Sequence, residues 1–466
     1  MKLGSGSSLA QQLTTATLAT PASGDEQLFG TDKGDFAVRA GAAYDLFGTG
    51  RTLLRGGYGI FYDRPFDNLW ENIRNNGIVV PPSLSLPPGA FNYLAPIPTV
   101  LASLPAQVIN TGFPDLTLVN PSLRNGRVQS YFAGMQHRIT DNFTVEVNGL
   151  GSYGRRLITT DIVNRDFSVN RGIGNPTNYN PDLPEIFYRG DQGFSDYNAL
   201  TAVVRYRTSR GIVQGSYTWG HTIDNQSEPL LGDFFNLNFT SIQGAATTSG
   251  RAAFTEQFNP HVDRGNSDFD QRQNFVLFSY WNLPAPFASS RFATLFRGWT
   301  VAELAAFRSG FPYTVIGTAH AVAGEGQLFN NRANLIDPRA AVLSNPVPVA
   351  GGERLLNPAA FSQPGASVLG NLGRNAFIGP GFYSVDVSLA RSFPLPWVGE
   401  GTRLTFRADA YNFLNHANLG NPQSNSTLSD FGIATFGRQG LQSGFPAVSP
   451  LNETARQVQL SVRVTF

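Results

Sequence analysis

The C-terminal stretch QVQLSVRVTF, residues 457–466, alternates strictly between polar and apolar side chains. The apolar positions are Val458, Leu460, Val462, Val464 and Phe466. Successive side chains of a β-strand point to opposite faces, so a period of two is typical of a strand. This stretch therefore predicts a strand with one apolar face and one polar face.

The same alternation recurs along the chain and predicts an all-β protein with eleven strands. Clear examples begin at Phe36, Phe143 and Tyr383, where every second residue is again apolar. The predicted strands cover residues 35–47, 52–63, 127–139, 143–157, 197–208, 212–224, 271–283, 298–310, 381–393, 402–414 and 455–466.

The connections between the predicted strands are alternately short and long. Gly48-Thr49-Gly50 joins the first two strands, and Asp141-Asn142 joins the third and fourth. The long connections cover residues 64–126, 158–196, 225–270, 311–380 and 415–454. Such long loops argue against a compact soluble domain. In antiparallel order they all lie at one end of the sheet, as in a transmembrane β-barrel with short periplasmic turns and long extracellular loops.

The composition agrees with a barrel and excludes several other classes. Charged residues make up only 14% of the 466 residues, against about 25% in soluble domains. A net charge of +1 gives no electrostatic case for nucleic-acid binding. The absence of cysteine excludes disulfide scaffolds and thiolate metal sites. The sequence contains no apolar run long enough for a transmembrane helix.

Charged residues within the predicted strands are the candidates for the polar lumen of such a barrel. Seven of them are predicted to face the lumen and are candidates for ligand contact: Arg205, Arg207, Glu303, Asp386, Arg403, Arg407 and Asp409. Arg39 and Glu146 are expected on the same face. The alternative role is cross-strand pairing of opposite charges, which contributes roughly 0.2–1 kcal/mol per pair.

No residues show the spacing of a catalytic or metal site, so we expect no enzyme activity, metal or cofactor. Asp263, Asp268 and Asp270 form an oxygen-rich cluster that Ca²⁺ could use. A structural role in the loop is favoured, because Asp also forms turns, and residues 268–272 are expected to pin the loop to the barrel rim. The aromatic residues expected to be exposed in loops for ligand recognition are Trp70, Phe91, Tyr93, Tyr179, Phe187 and Tyr188.

An odd number of strands predicts a partial barrel. The first and eleventh strands run in the same direction and cannot pair to close an antiparallel sheet, and bacterial barrels have even strand numbers. We therefore expect a truncated N-terminus, unless one strand escapes detection. Eleven is half of the 22 strands of plugged outer-membrane transporters. Residues 35–466 are thus expected to form the C-terminal half of a barrel, and residues 1–34 a remnant or loop.

Several segments resemble TonB-dependent outer-membrane receptors of the Oar-like kind. They are SYTWGHTIDNQS (216–227), SDFDQRQNFVLFSYWNLP (267–284), GWTVAELAAFRSGFPYTV (298–315) and FRADAYNFLNHANLGNP (406–422). The terminal QLSVRVTF, ending in Phe466, is similar to the signal read by the barrel-insertion machinery. The resemblance extends from about residue 35 to the C-terminus.

The resemblance implies uptake of a ligand across the outer membrane of a Gram-negative bacterium. It implies four partners: outer-membrane lipid, the insertion machinery, an unidentified extracellular ligand, and TonB through a missing N-terminal region. The plug and the TonB-contacting box precede the barrel in such receptors and are not visible in this sequence. The alternatives are a surface adhesin or structural barrel without transport, an outer-membrane enzyme, and a soluble sandwich.

Overall fold

One antiparallel sheet dominates the computed structural model, which describes residues 2–17, 30, 32–64, 116–164, 179–183, 186–227, 254–284, 297–321, 328–364, 368–436 and 455–466. Its eleven strands in that part of the chain are β1 (Arg39–Asp45), β2 (Thr52–Asp63), β3 (Gly126–Thr140), β4 (Phe143–Val163), β5 (Ile186–Arg207), β6 (Gly211–Asp224), β7 (Gln273–Asn282), β8 (Trp299–Arg308), β9 (Phe382–Pro394), β10 (Arg403–Tyr411) and β11 (Gln457–Thr465). Each strand pairs with its neighbours in chain order.

All eleven predicted strands are confirmed, and the two ends of the sheet differ as predicted. Every short turn lies at one end, which we call the short-turn end, and every long connection lies at the other, the long-loop end. In the turn after β1, Gly48 and Gly50 adopt φ of 65° and 66°, a region that favours glycine. The Asp45 carboxylate accepts the Gly50 amide hydrogen at 2.6 Å and closes this turn.

The predicted loop over residues 158–196 is wrong at both of its ends. β4 and β5 continue into it, and their pairing reaches Val163 and Ile186. The register shifts around Leu157, so the residue pairs nearer the long-loop end are offset from those nearer the short-turn end. Residues 159–163 are all buried. A segment covered on both sides lacks the alternation on which the prediction depended.

The sheet is open in the part of the chain that the structure describes. β1 pairs only with β2 there, and β11 only with β10. Ten reversals of direction separate these two edge strands, so they run parallel to each other. The partial barrel expected from the odd strand number is thus observed.

Short elements at the long-loop end form a compact layer with its own core. The buried side chains of this loop core are Tyr313, Val315, Ala333, Ala341, Leu356, Ala360, Phe361, Leu372 and Phe431. The short strands of the described chain are Leu116–Val119, Gly265–Asn266, Pro312–Tyr313, Ile316–Ala321, Leu328–Arg332, Asn334–Leu335, Val342–Val349, Gly352–Leu356, Phe361–Ser362, Phe377–Ile378 and Ile433–Thr435, and the 3-10 helices are Pro260–Asp263 and Pro358–Ala360.

The N-terminal segment packs against the extensions of β4 and β5. The helix α1 (Leu9–Thr14) begins after Ser8, whose hydroxyl accepts the Gln11 amide hydrogen. Leu13 is fully buried in a cluster that includes Val163 and Ile186. The Asn180 side-chain amide donates to the Leu13 carbonyl at 2.9 Å and joins the segment to the neighbouring loop. Among the described residues, no helix has the length and apolar character needed to cross a bilayer.

Candidate ligand-binding surface

The pairing register assigns the strand residues to two faces. Residues directly opposite each other on neighbouring strands point to the same side of a sheet. The face that we call polar carries Arg39, Arg55, Glu146, Arg205, Arg207, Asp386, Arg403, Arg407 and Asp409. The opposite, apolar face carries residues such as Tyr44, Met135, Val147, Tyr217, Phe307, Val385 and Leu460. Six of the seven candidates therefore share the polar face.

Glu303 is the exception, and its predicted position on the polar face is wrong. It pairs with Ser279 on β7 and Val387 on β9, which places it on the apolar face with Phe307. The polar-face position beside it belongs to Leu304, which is paired with Asp386. β8 carries apolar residues on both faces, so its sequence did not reveal which face Glu303 occupies.

The six candidates on the polar face do not form one cluster. On β10, Arg407 pairs with Asp409 at 2.7 Å. On β5, the Arg205 Nε donates to the Gln214 side chain at 2.8 Å. Asp386 accepts the backbone N–H of Asn412 at 2.8 Å. Five strand spacings separate β5 from β10, about 24 Å along the sheet, so these charges are distributed over the face.

An ion pair lies on the polar face, and the sequence analysis identified only one of its members, Glu146. Arg55 of β2 contacts Glu146 of β4 at 2.7 Å across the intervening strand β3. The Asn148 side chain donates to the same carboxylate at 2.9 Å. Leu54 and Tyr58 occupy the intervening alternate positions on the opposite face of the predicted strand, so the alternation contained the signal for the face of Arg55.

A buried ion network joins the loops at the long-loop end. The guanidinium of Arg374 contacts Asp224 at 2.5 Å and Asp268 at 2.9 Å, and all three side chains are almost fully buried. Arg374 also donates to the Ser227 hydroxyl at 2.7 Å, and Asn375 donates to Asp268 at 2.5 Å. A buried guanidinium paired with two carboxylates fixes the loop after β8 to the loop after β6.

The other two carboxylates of the predicted oxygen-rich cluster have different partners. Asp263 forms a buried ion pair with Arg332. Asp270 contacts Arg272 at 2.9 Å and His221 at 3.0 Å. The expected attachment of residues 268–272 to the rim is confirmed. Within the described residues, no group of three His, Cys, Asp or Glu side chains is placed to hold a metal ion.

A cavity of about 290 Å³ opens beside this network. It is lined by Thr255, Val262, Arg332 and residues 369–373. Arg332 is engaged there, because it donates to the carbonyls of Val262 and Leu372 at 3.2 Å each. Nearby, burial raises the pKa of Tyr313 above its ordinary value, so this phenol stays protonated at neutral pH.

The expected loop aromatics are not exposed where the structure describes them. Phe187 and Tyr188 lie in the extension of β5 and are buried. Tyr179 packs edge-on against Phe258, with ring centroids 5.6 Å apart. The predicted exposure of Phe187 and Tyr188 was wrong because β5 extends further than its alternation indicated, and that of Tyr179 was wrong because it packs against the buried cluster around Leu13. Trp70, Phe91 and Tyr93 lie outside the described residues.

Several solved outer-membrane proteins are similar to this chain. The transporter YddB from Escherichia coli is 10% identical, covers 91% of this chain and 39% of its own, and gives a TM-score of 0.44. FpvA of Pseudomonas aeruginosa, bound to a heterologous pyoverdine and iron, is 11% identical; the match covers 92% of this chain and 33% of FpvA, with a TM-score of 0.42. The FrpB iron transporter of Neisseria meningitidis is 8% identical; the match covers 92% of this chain and 39% of FrpB, with a TM-score of 0.40. This chain thus spans about two fifths of these proteins or less.

No curated protein matches the chain. The family described as "Outer membrane beta barrel domain" matches residues 4–459, which is nearly the whole chain. The all-β antiparallel sheet of this chain agrees with that match. Barrels of this family lie in the outer membrane of Gram-negative bacteria. The chain therefore belongs to the outer membrane β-barrel domain family.

Proposed function

We propose that this chain is the C-terminal half of the barrel of a TonB-dependent receptor that imports a solute across the outer membrane. The observation that carries the proposal is the parallel orientation of the edge strands β1 and β11. Only an odd number of additional strands can close such a sheet, and eleven more would give the 22 of plugged transporters. In this reading residues 35–466 belong to the barrel wall, and the Oar-like kind is the subtype that the sequence favours.

The polar face is proposed to line the path of the solute. It carries charges spread over several strands, including Arg205, Arg207, Asp386 and Arg403. The apolar face meets lipid, as in other membrane barrels. A distributed set of charges suits a path or a plug contact better than a single catalytic centre, so we propose no enzymatic reaction.

The long-loop end is proposed to bind the extracellular ligand. The Arg374 network and the loop core hold this surface in one arrangement, and a preformed surface binds with less loss of conformational entropy. TonB would act through a region outside this chain. The insertion machinery would recognise β11 together with Phe466, which follows it and is 87% exposed.

A surface adhesin is the second candidate, favoured by the same ordered loops. Growth and uptake experiments separate the two. A strain lacking the gene and a strain lacking TonB should both lose accumulation of the same radiolabelled solute, tested with metal complexes, oligosaccharides and peptides. Uptake that persists in both strains, together with reduced adherence in the first strain alone, would favour the adhesin.

A further inference from the structure

Arginine is concentrated at the short-turn end of the sheet. Among the four residues of each strand nearest that end, the charged side chains are Arg55, Arg138, Arg205, Arg207, Arg391, Arg403, Arg463, Asp45 and Glu146. The same window at the long-loop end contains Arg39, Arg127, Arg189, Arg308, Asp63, Asp161, Asp224 and Asp409. The described short turns add Arg51, Arg210, Arg297, Asp141 and Glu400. Positive charge is therefore in excess at one end only.

A pocket of about 460 Å³ lies within this cationic end. It is lined by Tyr206, Thr208, Ser209, Arg210, Trp281, Asn282, Leu283 and Pro284. The register places Tyr206 and Trp281 on the apolar face, so both rings point toward lipid. Tyrosine and tryptophan favour the bilayer interface because each combines an apolar ring with a polar tip.

The turn after β5 supplies polar groups at the edge of this pocket. Arg210 is exposed, and among the described residues its guanidinium has no carboxylate partner. The Arg210 carbonyl accepts the Asn282 amide hydrogen at 2.7 Å, which fixes the turn beside Trp281. Ser209 is also exposed. Arg210 therefore lines the same pocket as the rings of Tyr206 and Trp281.

The same combination continues onto the next two strands. The Leu283 amide donates to the Trp299 carbonyl at 2.9 Å, which joins the pocket to β8. The Arg391 guanidinium lies 5.3 Å from the Trp299 ring centre and 4.3 Å from that of Phe393. Arg391 is paired with Trp299 on the apolar face. One continuous patch thus contains two arginines and an aromatic belt.

We propose that this patch binds the phosphate headgroup of an anionic phospholipid in the periplasmic leaflet. Short turns of outer-membrane barrels face the periplasm. Guanidinium groups bind phosphate through paired hydrogen bonds, and basic residues near a bilayer attract anionic lipids. Glu303 is the nearby carboxylate on the apolar face, and its partner Ser279 lies further from the turn than Trp281. A carboxyl group at that depth gives no attraction for a phosphate, so the proposed site is confined to the turn.

Lipid binding to the protein purified from outer membranes in detergent tests the proposal. Native mass spectrometry would measure retention of phosphatidylglycerol, with phosphatidylcholine as the zwitterionic comparison. Arg210→Gln should weaken phosphatidylglycerol retention about fivefold, and Trp281→Ala should also weaken it. Arg51→Gln is the matched control, because it removes an arginine from another short turn that does not line the pocket. It should leave retention unchanged.

Three outcomes would overturn the proposal. Equal losses with Arg210→Gln and Arg51→Gln would indicate diffuse attraction without a site. Displacement of the lipid by millimolar inorganic phosphate would indicate a site for free phosphate. Unchanged binding in Arg210→Gln would exclude the patch. Heat-modifiable gel mobility checks folding, and Arg210→Lys, which keeps the charge without the planar fork, should show a smaller loss than Arg210→Gln. The inference depends on the membrane position of the sheet and not on transport.

Discussion

Arg374 and Asp224 form a buried ion pair of 2.5 Å although 150 positions separate them in the chain. Asp224 is the last residue of β6, and Arg374 lies in the long connection between β8 and β9. Their side chains are only 3–4% exposed. The pair therefore attaches the longest described loop to the end of β6.

Replacing Arg374 should release this loop while the sheet stays intact. Arg374→Met removes the partner of two buried carboxylates, which costs about 3–5 kcal/mol. External protease applied to intact cells should then cut within residues 311–380 much faster than in the wild type. Arg407→Met is the control, since the Arg407–Asp409 pair is more exposed and contributes little. Equal cleavage of both variants would contradict the anchoring role.

Placing a charge on the apolar face of β11 should impair membrane insertion. Val462 pairs with Phe406 on that face, and Arg near the bilayer midplane costs roughly 2–4 kcal/mol. Val462→Arg should therefore lower the amount of heat-modifiable protein in outer membranes. Gln459→Arg should be tolerated, because Gln459 faces Asp409 on the polar face. Normal assembly of the first variant would contradict the assignment of the faces.

The position of Glu303 leads to a third prediction. A lipid-facing carboxylate loses hydration, so Glu303→Leu should preserve or increase the urea concentration at which the barrel unfolds. Asp386→Leu should lower it, because Asp386 accepts the Asn412 amide hydrogen and its loss leaves that donor unsatisfied. Urea titration followed by tryptophan fluorescence checks both. A larger loss from Glu303→Leu than from Asp386→Leu would return Glu303 to the polar face.

The loop core should respond to truncation independently of the sheet. Leu356 is fully buried in it, so Leu356→Ala should cost about 2–5 kcal/mol through lost contacts and a cavity. The loops of this variant should exchange amide hydrogens faster, with strands β5 to β8 unchanged. Ile336→Ala provides the control, since Ile336 is 62% exposed. Faster exchange in the strands would mean that the loops and sheet unfold together.

Alternation predicted the eleven strands because most of them have one apolar and one polar face. Alternation could not predict the parts of β4 and β5 nearest the long-loop end. In β4, residues 159–163 of this part are all buried. Alternation also misplaced Glu303, whose strand is apolar on both faces. The Arg374–Asp224 pair was beyond sequence reasoning, because the meeting of two long loops depends on their three-dimensional path and not on a local period.

Cysteine labelling along β6 tests the central claim most directly, that one face meets lipid and the other water. The chain has no native cysteine, so each single substitution reports one position. In protein reconstituted in liposomes, Gln214→Cys and Ser216→Cys should react quickly with a water-soluble maleimide. Val213→Cys and Tyr217→Cys, on the opposite face, should react slowly with it and readily with a lipid-soluble maleimide. Equal reactivity of the two sets toward both reagents would contradict the account.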